Sequence, residues 1–293
     1  MLKEYIMYLL EPTLLLSLLF GLLGFAAALH FGHANALYGT LAIIGVVLAQ
    51  MSVNVIDDYI DYRKGIDRES VKTKFSGGST ILLSGKMKPR TSLAIGLGTA
   101  AIGGAMGIYL AYFNPVLLPL IAVGALSVFF YPSYIVKIPY LAEADVMLSF
   151  VLIAFGCYIA ASGPFASIWN AAFAFIPIGM LGGITLYVNS VPDRQVDRRH
   201  GRRSMVVMFG KPGRIGRYYL LLEGMVYGLI AVGIGIGSLP VFFLLTFLTM
   251  PVVYRVFNGM STYKSPRSYE RYMGLSALGT FTLSALAVFA FII

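Results

Sequence analysis

The sequence predicts an all-α, polytopic membrane protein with nine transmembrane helices around a central cavity, and three observations predict it. Of 293 residues, 58% are hydrophobic and only 12% are charged, whereas soluble domains carry about 25% charged residues. Apolar runs of about twenty residues recur along the chain, which favours spanning helices over the short alternating strands of a barrel. The third observation is that every Lys and Arg residue falls on one side of the predicted membrane arrangement.

The apolar runs give the order of the elements. The predicted spans cover residues 13–33, 36–57, 91–112, 115–135, 141–162, 166–191, 216–236, 238–257 and 272–293. We interpret them as a single membrane domain over residues 1–293. The first span is predicted to belong to the mature protein, because Glu11-Pro12 interrupts the apolar run in which a cleaved signal peptide would lie.

The basic residues test this order of spans independently. Of the 22 Lys and Arg residues, 20 precede span 1 or lie between spans 2 and 3, 4 and 5, 6 and 7, or 8 and 9, and the other two, Arg217 and Arg255, lie at the ends of spans 7 and 8 on the same side. By the positive-inside rule, the N-terminus and these loops are predicted to be cytoplasmic, and the C-terminus to lie outside. Topology and anionic head groups or substrates explain the formal charge of +9, so no nucleic-acid partner is expected.

An acidic cluster lies at the end of span 2. If the helix that begins at Ala36 continues, Asn54, Asp57, Asp58 and Asp61 fall at i, i+3, i+4 and i+7, which is one helical face. A solvated helix end is the alternative interpretation. Carboxylates at membrane depth are rare and costly, and Asp near a helix C-terminus opposes the helix dipole, so the cluster favours a functional site.

A matching pattern lies at the end of span 6. Asn189, Asp193 and Asp197 are four residues apart, which predicts one helical stripe, and Asn189 to Asp193 repeats the spacing from Asn54 to Asp58. Spans 2 and 6 run in the same direction, as a parallel internal repeat relating them would require. We therefore expect both clusters to face one cavity.

Hard oxygen ligands without a nearby thiolate select Mg²⁺, and the single Cys of the chain, Cys157, lies inside an apolar run. Mg²⁺ leaves several of its coordination sites to water or phosphate, so a phosphate-bearing substrate is expected. Basic residues interleaved with the carboxylates are candidates for phosphate binding, although each is explained equally well as a topology signal. They are Arg63, Lys64, Lys72, Lys74, Arg198, Arg202 and Arg203.

A diphosphate ester with a lipid-soluble tail, a polyprenyl diphosphate, suits a membrane cavity of this kind. Mg²⁺ acting as a Lewis acid would draw charge onto the leaving diphosphate. An electron-rich acceptor would then attack the carbocation in a site that excludes water.

These motifs resemble those of the UbiA superfamily of intramembrane prenyltransferases. The segment Asp57-Asp58-Tyr-Ile-Asp61-Tyr-Arg-Lys-Gly-Ile-Asp67 is similar to the longer form of that family's first motif, with Asp57 where the family often has Asn. Asp193-Arg-Gln-Val-Asp197 is similar to the second motif. The stretches 75–85 and 197–210, with Tyr140-Leu-Ala-Glu143, most resemble the menaquinone branch, which prenylates 1,4-dihydroxy-2-naphthoate.

The resemblance implies site roles residue by residue. Asp58, Asp61, Asp193 and Asp197 would be catalytic and, together with Asn54 and Asp57, would bind Mg²⁺. The family pattern does not fix which basic residue contacts the diphosphate, and Tyr131 and Glu143 are candidates from their place at the membrane boundary. The candidate substrate-binding residues are Asn54, Asn189, Arg63, Lys72, Lys74, Arg198, Arg202, Tyr131 and Glu143. For Tyr131 a place in the interfacial aromatic belt, and for Glu143 a helix-start carboxylate favoured by the dipole, are the alternative interpretations.

Two alternative functions stay open at this point. One is an archaeal-type ether-lipid prenyltransferase acting on a glycerol phosphate acceptor. The other is a cation-coupled membrane transporter, since intramembrane carboxylates in repeated halves also suit ion pathways. Separately, Glu223 within span 7 is expected to pair with a basic residue one or two turns away, because an unpaired carboxylate there would be costly.

Overall fold

The computed structural model describes residues 5, 8, 9, 11–70, 72, 73, 75, 78, 80–262 and 265–293, with the side chains of residues 212, 266 and 267 left out. Its main elements are α1 (Pro12–His30), α2 (Ala36–Lys64), α3 (Pro89–Phe113), α4 (Leu117–Phe130), α5 (Leu141–Ser162), α6 (Ile168–Asn189), α7 (Pro212–Gly235), α8 (Val241–Thr262) and α9 (Pro266–Ile292). The first part of α8, Val241–Thr249, is a 3₁₀ helix. Short helices at Ile66–Glu69, Thr80–Leu83, Ile135–Lys137, Gly163–Phe165, Arg194–Arg199 and Met205–Phe209 lie in the connections.

Within these described ranges, eight helices are long and apolar enough to cross a membrane, and α4, with 14 residues, is shorter. All secondary structure assigned to the described residues is helical. The predicted all-α, polytopic membrane fold is therefore confirmed, while the count of nine spans stays a prediction.

Helix α6 lies at the centre of the molecule. It packs against α5, α7 and α9, and 78% of its most apolar 18-residue window is buried. Close contact with α5 depends on glycine, because a Cβ atom at Gly179 would lie 2.7 Å from the backbone nitrogen of Val151. The second polar motif thus follows a helix that is held on several sides.

Helix α2 extends seven residues beyond the predicted end of span 2, from residue 57 to Lys64. It ends at Gly65, whose φ of 76° places it in the left-handed region that glycine adopts readily. The whole first motif up to Lys64 consequently lies on one continuous helix.

The prediction of a continuous helical stripe through the second motif is wrong. Helix α6 ends at Asn189, a turn follows, and a separate short helix begins at Arg194. Pro192 lies in that turn, and proline lacks the N–H group that a continuing helix would need. Span 4 is also shorter than predicted, since Tyr131-Pro132 follows its last residue, Phe130.

Candidate active site

The two polar motifs line one cavity of about 550 Å³. The ends of α2 and α6 contribute to its lining, together with α1, α4, α5, α9 and the described part of the α2–α3 connection. Its acidic lining residues are Glu11, Asp57, Asp58, Asp61, Asp67, Asp145, Asp193 and Asp197. Most of the chain's carboxylates are therefore gathered at one internal surface.

On α2, the helical repeat places Asn54, Asp57, Asp58 and Asp61 along the cavity, with Asp58 and Asp61 buried. Asn54 is held from both ends: its amide donates to the Thr13 hydroxyl at 2.6 Å and its oxygen accepts from the Gln50 amide at 3.0 Å. An amide oxygen has two lone pairs, so Asn54 keeps one acceptor site free for a ligand or an ion.

Arg202 connects the two motifs. Its Nη2 atom donates to Asp61 Oδ1 at 2.6 Å and also contacts Asp61 Oδ2, and it lies 3.9 Å from Asp57. Its Nη1 atom lies 3.6 Å from Asp197. The surrounding carboxylates raise the pKa of Arg202, outweighing the opposing effect of burial. The guanidinium is therefore a permanent cation between the two acidic groups.

Glu143 fixes the position of the segment that carries Arg202. Both carboxylate oxygens of Glu143 accept from the Met205 N–H, at 2.8 and 2.9 Å, at the start of the short helix Met205–Phe209. Two backbone bonds join the same segment to the α4–α5 connection, from Tyr140 N–H to Arg203 O and from Arg203 N–H to Val136 O. Glu143 is fully buried and does not line the cavity, so its contacts are to the backbone of the second motif loop.

A surface ion pair links the loops of the two motifs. Arg199 of the helix Arg194–Arg199 lies 3.1 Å from Glu69 of the helix Ile66–Glu69, and His200 Nε2 lies 3.7 Å from the same carboxylate. Exposed pairs of this kind contribute about 0–1 kcal/mol each. Glu69 lies outside the cavity lining, which makes it a useful control position.

Burial controls the ionisation of the carboxylates in the connections. Burial, followed by the charge of Asp61, raises the pKa of Asp67 to about 6. Burial also raises the pKa of Asp197 to about 6, although the Arg202 charge opposes this shift. Just before α1, burial raises the pKa of Glu11 to about 7. The cavity therefore disfavours the accumulation of negative charge unless a cation enters it.

The donor set is compatible with Mg²⁺. One side-chain oxygen on each of Asp57, Asp58, Asp67 and Asn189 is buried without a hydrogen-bond partner among the described residues. Across the described part of the chain, no group of three or more His, Cys, Asp or Glu side chains is arranged to hold an ion. Mg²⁺ usually takes one or two carboxylates and completes its shell with water and substrate phosphate. These residues fit an ion that is held jointly with a phosphate ligand.

An apolar groove of about 220 Å³ adjoins the polar cavity. It lies between α2, α3, α4 and α5, and four residues line both spaces: Gln50, Val53, Ser127 and Ser149. Gly104, Gly124 and Gly156 line the groove, and a Cβ atom at any of them would meet no atom within 4 Å. A ligand with a polar head and an apolar tail could therefore occupy both spaces.

The structure separates the predicted site residues into two groups. The cavity is lined by Asn54, Asp57, Asp58, Asp61, Tyr131, Asn189, Asp193, Asp197 and Arg202. Arg63, Lys72 and Arg198 are exposed, Glu143 is buried, and none of the four lines it. Lys74 lies outside the described residues.

Several cavity residues were absent from the predicted site. Glu11 and Asp145 line the cavity, and the Ser127 hydroxyl donates to Asp145 Oδ1 at 2.9 Å. Both are acidic residues at the edge of an apolar run, and this is the sequence feature that could have indicated them. Asp67 had a clearer signal, since it closes the longer form of the first motif.

Comparison with known proteins gives a family match over nearly the whole chain. A model of the UbiA prenyltransferase family matches residues 14–291. The 1,4-dihydroxy-2-naphthoate octaprenyltransferase of Bacillus subtilis (strain 168) is 24% identical over 202 residues. That alignment covers 66% of this chain and 62% of the relative, so it spans less than two thirds of the relative's length.

Solved structures show the same fold. A UbiA homolog from Aeropyrum pernix K1 has a TM-score of 0.72 at 19% identity, covering 92% of this chain and 96% of that one. Digeranylgeranylglyceryl phosphate synthase has a TM-score of 0.68 at 14% identity, with 99% and 98% covered. A UbiA homolog from Archaeoglobus fulgidus bound to DMAPP and Mg²⁺ has a TM-score of 0.62 at 18% identity, with 93% and 96% covered.

Proposed function

Because this chain belongs to the UbiA prenyltransferase family, we propose that it transfers a prenyl group from an isoprenyl diphosphate to a small aromatic acceptor within the membrane, with Mg²⁺ as cofactor. The observation that carries the proposal is the pair of acidic motifs facing one cavity that adjoins an apolar groove. The cavity offers oxygen ligands for a metal-bound diphosphate, and the groove offers an apolar surface for a prenyl tail.

The motif residues hold the donor's head group in this proposal. Asp58, Asp61, Asp193 and Asp197 provide carboxylate oxygens from both sides of the cavity, with Asn54 and Asp57 beside them. When bound, Mg²⁺ would supply Lewis-acid stabilisation of the charge that develops on the leaving diphosphate. The structure of the Archaeoglobus fulgidus homolog bound to DMAPP and Mg²⁺ supports this cofactor.

Arg202 has two roles in succession. Without a donor it neutralises Asp61 and Asp197, which lie on opposite motifs. With metal and diphosphate held at the carboxylates, the guanidinium would be available to donate charge-assisted hydrogen bonds to diphosphate oxygens. Arg202 is thus the basic residue that the cavity geometry favours among those predicted from sequence.

The apolar groove would hold the first part of the prenyl tail. Ser127 and Ser149 lie where the groove meets the polar cavity, so the reacting carbon would lie near the α4 and α5 side of the site. Tyr131 lines the same side, where its ring could stabilise a developing carbocation through its π-system. The enclosing helices keep water from the cation.

The acceptor is proposed to be aromatic, with 1,4-dihydroxy-2-naphthoate as the first compound to test. The curated relative from Bacillus subtilis acts on that class of compound by its name. The second candidate is a glycerol phosphate ether, supported by the fold similarity to digeranylgeranylglyceryl phosphate synthase across 99% of this chain. Family membership gives no support to the transporter interpretation.

We further propose that the site opens to the cytoplasm. The cavity lies at the ends of α2 and α6 from which the basic loops follow, and the distribution of all 22 basic residues assigns those loops to the cytoplasmic side. The N-terminus then lies in the cytoplasm and the C-terminus outside.

The test is prenyl transfer by purified protein in lipid nanodiscs. Radiolabelled geranylgeranyl diphosphate is supplied with Mg²⁺ and either 1,4-dihydroxy-2-naphthoate or a glycerol phosphate ether, and the lipid-soluble products are separated. A product with the naphthoate that disappears in EDTA supports the proposal. A product with the glycerol phosphate ether alone supports the second candidate, and no product with either acceptor contradicts both.

A further inference from the structure

A second pocket lies on the side of the molecule between α7 and α8. Its volume is about 430 Å³, and it shares no lining residue with the polar cavity. One face of α7 lines it, through Leu220, Glu223, Gly224, Tyr227, Gly228 and Ala231. Phe247, Met250, Val253 and Tyr254 of α8 form the opposite side. We call this space the α7–α8 groove.

Glu223 makes the α7–α8 groove unusual. The residue is 5% exposed, and its Oε2 atom is buried without a hydrogen-bond partner. The carboxyl group interacts electrostatically with Tyr219 on the same helix. The expected basic partner is not found within the described part of the chain: Arg217, two turns away, is exposed and donates to the Gly213 carbonyl at 3.2 Å. Glu223 therefore has one capacity for a hydrogen bond that no residue described by the structure satisfies.

The unpaired oxygen of Glu223 lies deep in the membrane, away from water. Glu223 is eleven residues from the start of α7 at Pro212, which corresponds to roughly 16 Å along the helix axis. The hydrocarbon core of a bilayer is about 30 Å thick. Span 7 is predicted to begin at residue 216, so the carboxyl group of Glu223 lies about 10 Å inside the apolar part of the helix, beyond the lipid head groups.

The shape of the groove suits a flat ring. Gly224 and Gly228 are exposed, and a Cβ atom at either position would meet no atom within 4 Å. The Tyr227 and Phe247 rings pack against each other, tilted by 58° with 5.3 Å between centroids, and give the groove an aromatic wall. The Tyr227 hydroxyl is already bonded to Thr249 at 2.6 Å, which leaves Glu223 to pair with a ligand's polar group.

We propose that the α7–α8 groove binds a membrane-dissolved, neutral ring compound through a hydroxyl or carbonyl group that hydrogen-bonds Glu223. A lipid acyl chain fills apolar space but leaves Oε2 unpaired, and an unpaired buried polar group is destabilising. A charged ligand would have to lose its water to reach this depth, at a much higher cost. The glycine positions admit a ring next to the helix backbone.

The experiment uses a fluorescent reporter in the groove. Phe247→Trp is introduced together with Trp169→Phe, which removes the single native tryptophan, and the protein is reconstituted in nanodiscs. 2-Methyl-1,4-naphthoquinone is titrated as the probe, because it carries ring carbonyls and quenches tryptophan. Saturable quenching is expected, and the probe is expected to be displaced by 1-naphthol but not by 2-methylnaphthalene, which has no polar group.

Three further substitutions in the reporter protein test the binding mode. Glu223→Leu removes the hydrogen-bonding group, and Gly228→Leu fills the groove without touching Glu223. Each should raise the half-saturating probe concentration at least fivefold. Gly98→Leu is the matched control. Gly98 is exposed on α3, an added Cβ would have no atom within 4 Å, and the residue lines neither the polar cavity nor either of the two grooves.

Equal, non-saturating quenching in all four proteins would overturn the proposal, because it would mean collisions in the lipid only. Displacement by 2-methylnaphthalene as effective as by 1-naphthol would also overturn it, since Glu223 would then be irrelevant. A groove blocked by a second copy of this chain would show probe binding that weakens as the protein-to-lipid ratio rises, and this result excludes the ring ligand too. The outcome is independent of whether prenyl transfer is observed.

Discussion

Single side chains determine whether the polar cavity can receive a metal and a diphosphate. Arg202 balances Asp61 and Asp197, and buried oxygens of Asp57 and Asp58 remain without hydrogen-bond partners. The cavity is thus partly neutralised from within, with acceptor atoms left over. Arg202 stabilises the cavity when no substrate is bound, and the remaining oxygen atoms can still coordinate a metal ion. Reversible binding requires both properties.

The first residue-scale prediction concerns both motifs. Asp58→Asn and Asp193→Asn should each lower kcat/KM for prenyl transfer at least a hundredfold, because each replaces a carboxylate of the cavity with a neutral amide of equal size. Removing one electrostatic group of a catalytic site typically costs 10²–10³ in rate, or about 2.7–4 kcal/mol. Labelled-product assays on purified variants measure the effect.

Glu69→Gln is the matched control for these two variants. Glu69 is an acidic residue in the connection between α2 and α3, and it lies outside the cavity lining. It should transfer prenyl groups at the wild-type rate. Activity within threefold of wild type in both Asp variants would exclude the proposed site.

A second residue-scale prediction concerns pH. The pKa of Asp67 is about 6 in the folded protein against 3.8 as the reference, so the folded state holds this proton more tightly. The resulting stabilisation is complete below pH 3.8 and is lost as the pH rises through 6. In EDTA, the apparent Tm should therefore fall as the pH rises from about 4 to about 6, to which Asp197 also contributes.

Asp67→Asn should reduce this fall, because the amide does not titrate. Thermal unfolding in detergent at a series of pH values, in buffers of equal ionic strength, measures it. A Tm that rises over this interval, or that falls equally in the variant, would contradict the assigned cause.

At the scale of elements, the geometry of the site depends more on contacts between the interhelical segments than on the helices alone. Glu143 at the start of α5 accepts the N–H of Met205 with both oxygens and so fixes the segment that carries Arg202. The position of the second motif therefore follows from a carboxylate that lies outside the cavity.

Glu143→Ala should lower the free energy of unfolding by about 1–3 kcal/mol, because the Met205 N–H loses its acceptor. Glu143→Gln keeps one acceptor oxygen and should recover most of this loss. Unfolding in a mixed detergent titration compares the three proteins. Wild-type stability in the alanine variant would show that the backbone contacts of Arg203 hold the segment without Glu143.

The apolar groove between α2, α3, α4 and α5 gives an element-scale prediction about the donor. Gly124→Leu adds a side chain where no atom lies within 4 Å, so it should occupy groove space without disturbing helix packing. The preference for geranylgeranyl over geranyl diphosphate is the ratio of their kcat/KM values. This ratio should fall about tenfold, because the loss of two methylene contacts, at about 0.8 kcal/mol each, is enough for such a change.

Gly98→Leu on the exposed side of α3 is the control and should leave the ratio unchanged. An unchanged ratio in Gly124→Leu as well would place the prenyl tail outside this groove.

At the scale of the whole molecule, the sequence predicts the architecture because membrane burial imposes simple rules. Apolar length locates the spans and the basic residues order them. The face shared by Asn54, Asp57, Asp58 and Asp61 follows from the helical repeat, and α2 runs through all of them. The sequence alone therefore predicts the first half of the cavity in residue detail.

The second half was predicted less well, for physical reasons. The turn at Pro192 replaces the expected helical stripe, so side-chain direction there depends on loop packing. Glu11, Asp145 and Glu143 take their roles from contacts distant in sequence, such as the 18-residue separation between Ser127 and Asp145. Local periodicity contains no information about such contacts.

The most direct test of the central claim is the binding of geranylgeranyl diphosphate to purified protein by isothermal titration calorimetry, with Mg²⁺ and with EDTA. The proposed site predicts binding in Mg²⁺ that weakens at least tenfold in EDTA and equally in Asp58→Asn and in Asp193→Asn, since both motifs hold the same head group. Binding that survives EDTA and both substitutions, in demonstrably folded protein, would contradict a metal-dependent donor site formed by the two motifs.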